Sequence, residues 1–72
     1  MRREAVSSSV IASIGYDADS QVLEVEFHSG ELYRYLGVPE FDVARLKRAE
    51  SMGRFLNEWI KPRYEFVYVA PR

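Results

Sequence analysis

The chain has 72 residues, ten Lys or Arg against eleven Asp or Glu, a formal net charge of −1 and no cysteine. That length excludes a second domain, the charge excludes a globally basic nucleic-acid binder, and the lack of cysteine excludes disulfides and cysteine–zinc sites. No apolar run approaches the roughly 20 residues that span a bilayer, and Val10-Ile11-Ala12 is too short for a signal-peptide core, so a cytoplasmic protein is expected.

Residues 1–7 read as a flexible N-terminal arm, and residues 8–70 as one domain. Val10 to Tyr16 is expected as the first strand, with Val10, Ala12, Ile14 and Tyr16 on one face. Asp17-Ala18-Asp19-Ser20 has turn composition. A four-residue loop there sets Ile14 opposite Leu23 and Ala12 opposite Val25. The second strand, Gln21 to Phe27, alternates apolar Leu23, Val25 and Phe27 with acidic Glu24 and Glu26, the period of a half-buried antiparallel strand.

Two registers compete for the next hairpin. A two-residue Ser29-Gly30 loop sets Val25 against Arg34 and Glu24 against Tyr35. A three-residue His28-Ser29-Gly30 loop sets Val25 against Tyr33, Leu23 against Tyr35 and Glu24 against Arg34. A one-residue slip turns every side chain to the other face. The second register pairs apolar with apolar and acid with base, at roughly 0.2–1 kcal/mol per pair. It also places Gly30 where a three-residue hairpin needs a left-handed residue. It is therefore the expected one, with Tyr33 and Tyr35 on the core face and Arg34 outside, beside Glu24.

Gly37-Val38-Pro39 ends the third strand, and a helix is expected from about Pro39 to Glu50, with Phe41, Val43, Ala44, Leu46 and Ala49 as candidate buried residues. Ser51 reads as the N-cap of a second helix, and Gly53 as the place where its first turn packs close to the sheet. Met52, Phe55, Leu56, Trp59 and Ile60 form one apolar stripe that Pro62 should stop. Asn57 has poor mid-helix propensity and is expected to bond a neighbouring backbone group. Tyr64 to Val69 is a last strand, apolar enough on both faces to be covered on both. The expected fold is α+β, β-β-β-α-α-β: a three-stranded antiparallel meander, two helices packed on one face, and a C-terminal strand returning to the sheet.

The order and spacing of these residues resemble the KTSC domain family. The matching features begin with Ser8-Ser9, Ile14-Gly15-Tyr16-Asp17 and Leu23-x-Val25-x-Phe27-x-x-Gly30. They continue with Tyr33-Arg34-Tyr35, Val38-Pro39, Ala49-x-Ser51-x-Gly53, Phe55-x-Asn57-x-x-Ile60-Lys61 and Tyr64. The resemblance spans Ser8 to about Tyr68; Pro62-Arg63 departs from it, where a small flexible residue is expected. The family occurs at the C-terminus of some lysyl-tRNA synthetases and as free-standing bacterial proteins. The resemblance implies no established enzymatic activity, and RNA binding by association with the synthetase.

Catalysis finds no support in the residues. His28 is the single histidine and lies in a tight turn, and no serine has a base that the sequence identifies. No cofactor, catalytic residue, metal site or small-molecule substrate is expected. Two binding readings remain. Ten of the 72 residues are aromatic, an excess that so small a chain cannot easily bury, which favours a protein-interaction module or homodimer. The alternative is RNA binding by Arg45, Lys47, Arg48, Arg54, Lys61 and Arg63, six cations against Glu50 and Glu58 within residues 45–63. Tyr64 and Tyr68 would then be available for stacking if their side of the last strand is open.

Overall fold

The computed structural model describes residues 2–71. Five antiparallel strands form one sheet in chain order: β1 (Arg3–Ala5), β2 (Ile11–Asp17), β3 (Val22–Phe27), β4 (Glu31–Leu36) and β5 (Phe66–Pro71). Between β4 and β5 run α1 (Glu40–Arg48) and a second helix, made of α2 (Met52–Phe55), a π-helical stretch (Leu56–Ile60) and α3 (Lys61–Arg63). Four strands precede the helices, so the expected three-stranded meander is one strand short.

The added strand lies within the segment read as an arm. Arg3, Glu4 and Ala5 pair with Gly15, Ile14 and Ser13. Such a short polar strand has no alternation to betray it; what fixes it is tertiary. The Arg3 guanidinium crosses Gly15 to reach the Glu24 carboxylate at 3.2 Å, and Glu4 on the other face meets Lys47 Nζ at 2.8 Å. A Cβ on Gly15 would stand 2.8 Å from both the Arg2 carbonyl oxygen and Arg3 Cγ. The glycine is thus what lets β1 approach.

The register of β3 and β4 is the expected one: Leu23 faces Tyr35, Glu24 faces Arg34 and Val25 faces Tyr33. Gly30 has φ 97°, and Arg34 Nε donates to Glu24 Oε1 at 2.8 Å. The β2–β3 pairing differs. Ile14 faces Val25 and Tyr16 faces Leu23, because the turn occupies Ala18 to Gln21, with Gln21 at φ 57°. The shift is by two residues, so the faces are preserved. A bulge between Ile11 and Ser13 does change a face: Ile11 is buried, whereas Val10 is exposed and Ala12 only partly covered. A bulge adds one residue to one strand and so inverts the alternation beyond it.

The core joins Ile11, Ile14, Leu23, Val25 and Tyr35 of the sheet to Val43 and Leu46 of α1 and to Met52, Leu56 and Ile60 of the second helix. Those three helical residues follow the expected stripe. In α1 the buried set is Asp42, Val43 and Leu46. Phe41 is 68% exposed, contrary to expectation, and Ala44 is exposed as well. Acids in the first turn and bases in the last suit the α1 dipole. Ser51 caps the second helix by accepting the Arg54 N–H at 3.3 Å. Gly53 is buried against Val10, whose Cβ a side chain there would meet at 3.1 Å. Pro62 does not stop the helix, which continues to Arg63. In a regular helix the proline ring collides with the carbonyl four residues back. Here the preceding turn is π-helical, with the Lys61 N–H bonded to Leu56 O, five residues back.

β5 pairs with β4 and forms the other edge of the sheet. The expectation that both its faces are covered fails: Phe66, Val67, Tyr68 and Val69 are each 38–49% exposed. β5 is an edge strand, paired on one side only, and its side chains are correspondingly open.

Candidate functional site

The six cations of residues 45–63 do not form a continuous free track. Arg45 lies 3.5 Å from Asp42 Oδ1 and 4.4 Å from the centre of the Trp59 ring. Arg63 covers Trp59 at 3.3 Å and donates to its carbonyl oxygen at 3.4 Å. Lys47 is held by Glu4, and Arg54 by Glu58 at 3.1 Å. Among the described residues, no ion pair involves Arg48 or Lys61.

Asp42, which the sequence reading passed over, organises this side of the helical layer. Its Oδ2 accepts from Trp59 Nε1 at 3.2 Å and from the Tyr64 hydroxyl at 2.5 Å. Burial, with the Asp42 bond adding to it, pushes the Tyr64 phenol above its usual range. A buried carboxylate must be paired and hydrogen-bonded to be tolerated, and Asp42 has a cation and two donors. From sequence it cannot be told from an ordinary acid in a first helical turn. The cluster ties α1 to the C-terminal half of the second helix and to the residue that follows it.

The opposite side is open. Tyr33 is the centre of an aromatic group: Phe27 lies 5.7 Å away edge-on, Phe66 5.4 Å, Tyr68 5.2 Å and Tyr35 6.5 Å between ring centroids. As expected, Tyr33 and Tyr35 face the core. Tyr35 is 1% exposed, and Tyr33 is half-buried at the margin. Burial, with the neighbouring Tyr33 adding to it, pushes the Tyr35 phenol up to about 12.

A cleft of about 420 Å³ opens above this group. Its walls come from five elements: Ser9 before β2, His28 in the β3–β4 turn, Tyr33 and Tyr35 on β4, Asn57 and Lys61 on the second helix, and Phe66 on β5. His28 is oriented from its own neighbourhood. Its ring Nε2 sits 2.9 Å from the Ser8 carbonyl oxygen and must carry the hydrogen, since a carbonyl only accepts. Its backbone N–H donates to Val10 O at 2.9 Å.

Asn57 departs from expectation. It is exposed in the cleft wall. Among the described residues its side chain makes none of the backbone hydrogen bonds foreseen for it. It sits in the π-helical stretch, a local widening found often at functional sites. By sequence, Tyr33, Tyr35 and Asn57 read as structural and Lys61 as part of a basic track; the fold brings them together. The shared signal was their membership of one set of spaced motifs.

Comparison with known proteins adds the following. A family model described as the KTSC domain matches residues 7–64. An uncharacterised protein of Stutzerimonas stutzeri is 50% identical over 64 residues, covering 89% of this chain and 90% of that one. A lysine–tRNA ligase of Nostoc punctiforme is 38% identical over 62 residues, 86% of this chain but 11% of the ligase. The crystal structure of a KTSC domain protein from Yersinia pestis superimposes with a TM-score of 0.91 at 42% identity, covering 96% of this chain and 97% of that one.

Proposed function

The chain belongs to the KTSC domain family, and from that premise we propose that it acts by binding and not by catalysis, as a protein-interaction module that self-associates through β5. The observation that carries this reading is the edge itself. Phe66 to Val69 are apolar, about half exposed and uncharged, on a strand with no neighbour on its outer side. Such an edge presents unpaired N–H and C=O groups to another strand, and proteins that stay monomeric usually guard it with charge. Two copies of an uncharged strand pair antiparallel without like-charge repulsion, and two-fold homodimers are the commonest oligomers. A binding role also suits the buried acids, since Glu24 and Asp42 are each engaged by cations of the chain itself.

Sedimentation of the wild type and of Val67→Glu/Val69→Glu tests this. Val67 faces Arg34 across the ladder, so the new carboxylate at 67 gains a partner, and stability should change by no more than about 0.5 kcal/mol. The wild type is expected to dimerise with rising concentration and the variant to stay monomeric. A wild type monomeric at its solubility limit would sink the reading.

RNA binding is the second reading, favoured by the lysine–tRNA ligase relative. Arg48 and Lys61 are the cations to reverse in testing it, because Arg45 and Lys47 hold the fold through Asp42 and Glu4. A contribution from phosphate contacts would show as affinity falling with added salt and falling again in Arg48→Glu/Lys61→Glu.

A further inference from the structure

We propose that the cleft over Tyr33 is a binding site for a planar aromatic anion, with the ring against the aromatic group and the anionic substituent at Lys61. Three independent features converge there. The floor is aromatic and half-buried, with Tyr33 set among Phe27, Tyr35 and Phe66. The volume, about 420 Å³, lies within the roughly 300–1,000 Å³ of small-molecule sites.

The third feature is a set of polar groups without partners among the described residues. Tyr35 is 1% exposed, yet among the described residues its hydroxyl bonds to no other side chain or backbone group. No buried side-chain polar atom of the described residues is unsatisfied, so this hydroxyl keeps a trace of solvent contact, and Tyr35 is among the residues that line the cleft. Among the described residues, the Asn57 amide and the Lys61 ammonium, both exposed in the same wall, have no hydrogen-bond or ion-pair partner. A phenol, an exposed amide and an exposed ammonium around one aromatic floor are the complement of a flat ring bearing a negative group.

The charges around the cleft orient the ligand. Glu31 lines the hairpin end and Lys61 the helical end, with no ion pair between them. The anionic group is therefore repelled from the hairpin and drawn to the helix, and the His28 ring, engaged through Nε2 with the Ser8 carbonyl, lines the same cleft. A free aromatic acid and a nucleotide unit share this chemistry.

The test is an NMR titration of the whole chain with AMP, adenosine and naphthoate, and with a short oligoadenylate. AMP and naphthoate are expected to shift His28, Tyr33, Asn57 and Lys61. Adenosine, without the anionic group, should bind about fivefold more weakly, the scale of one partly exposed ion pair. Lys61→Gln should erase the difference between AMP and adenosine, Glu31→Gln should tighten AMP binding, and Tyr35→Phe, which keeps the ring and the fold, should weaken all the ligands that bind. Oligoadenylate held at these residues more tightly than AMP would identify the source as a nucleic-acid strand, and no tighter than AMP, as a free small molecule. Shifts elsewhere or none at all, or an AMP-to-adenosine ratio unchanged in Lys61→Gln, would overturn the proposal. Val67 lies on the other face of β5, so failure of self-association and failure of the cleft are separable results.

Discussion

At one edge of the sheet β1 is three residues long, and its Arg3 and Glu4 are each held in an ion pair. At the other, β5 is six residues long, and its Phe66, Val67, Tyr68 and Val69 carry no charge. The first edge is closed in the ways proteins use to prevent strand addition, brevity and charge; the second has neither. The same contrast runs through the helical layer. Around Asp42 the Arg45 guanidinium, the Trp59 indole and the Tyr64 phenol are engaged, while around Tyr33 a hydroxyl, an amide and an ammonium have no partner among the described residues. Aromatic and charged residues are plentiful on both sides. What separates structure from candidate function is whether their polar groups are already satisfied.

Four measurements press on that contrast. Tyr35 anchors the open side to the common core, and Tyr35→Ala should cost about 3–5 kcal/mol in chemical denaturation. A variant that stayed stable would show the aromatic side to be an appendage. On the closed side, Glu24→Ala should cost about 2–3 kcal/mol. Breaking a buried pair costs more, but Arg3 and Arg34 remain partly in water. Gly15→Val should cost roughly 1–2 kcal/mol by overpacking and release β1. Hydrogen exchange would then rise at Arg3 to Ala5 while β3 and β4 stay protected; uniform loss of protection would mean that β1 is integral to the sheet.

The fourth measurement is alkaline stability. The folded chain holds the Tyr35 proton more tightly than the unfolded chain does, since its phenol is raised from near 10 to about 12. Its contribution is therefore complete below pH 10 and is lost as pH rises from there through about 12. Thermal melts across that range should show the loss, and Tyr35→Phe should flatten it.

Much of this was legible in the chain. The β3–β4 register could be read residue by residue, because Glu24 against Arg34 and Leu23 against Tyr35 leave one acceptable pairing and Gly30 supplies the turn. Ser51 announced its helix. The bulge after Ile11 was hidden, since Val10, Ile11 and Ala12 are all apolar and alternation cannot choose among them. The cleft was hidden for another reason: Ser9, His28, Tyr33, Asn57 and Lys61 belong to segments far apart in sequence, and only packing makes them neighbours.

The β3–β4 register, the Ser51 cap and the apolar stripe of the second helix follow from interactions between residues close in sequence, and the sequence by itself determined them. Which edge is guarded, which face is covered and which polar groups remain free were decided by the tertiary structure alone. Arg3 finds Glu24 only across Gly15, Asp42 finds Trp59 and Tyr64 only once the helices meet, and β5 is exposed as the strand that pairs on one side only. Burial and charge pairing are properties of what lies across a gap in space, and local periodicity carries no record of that.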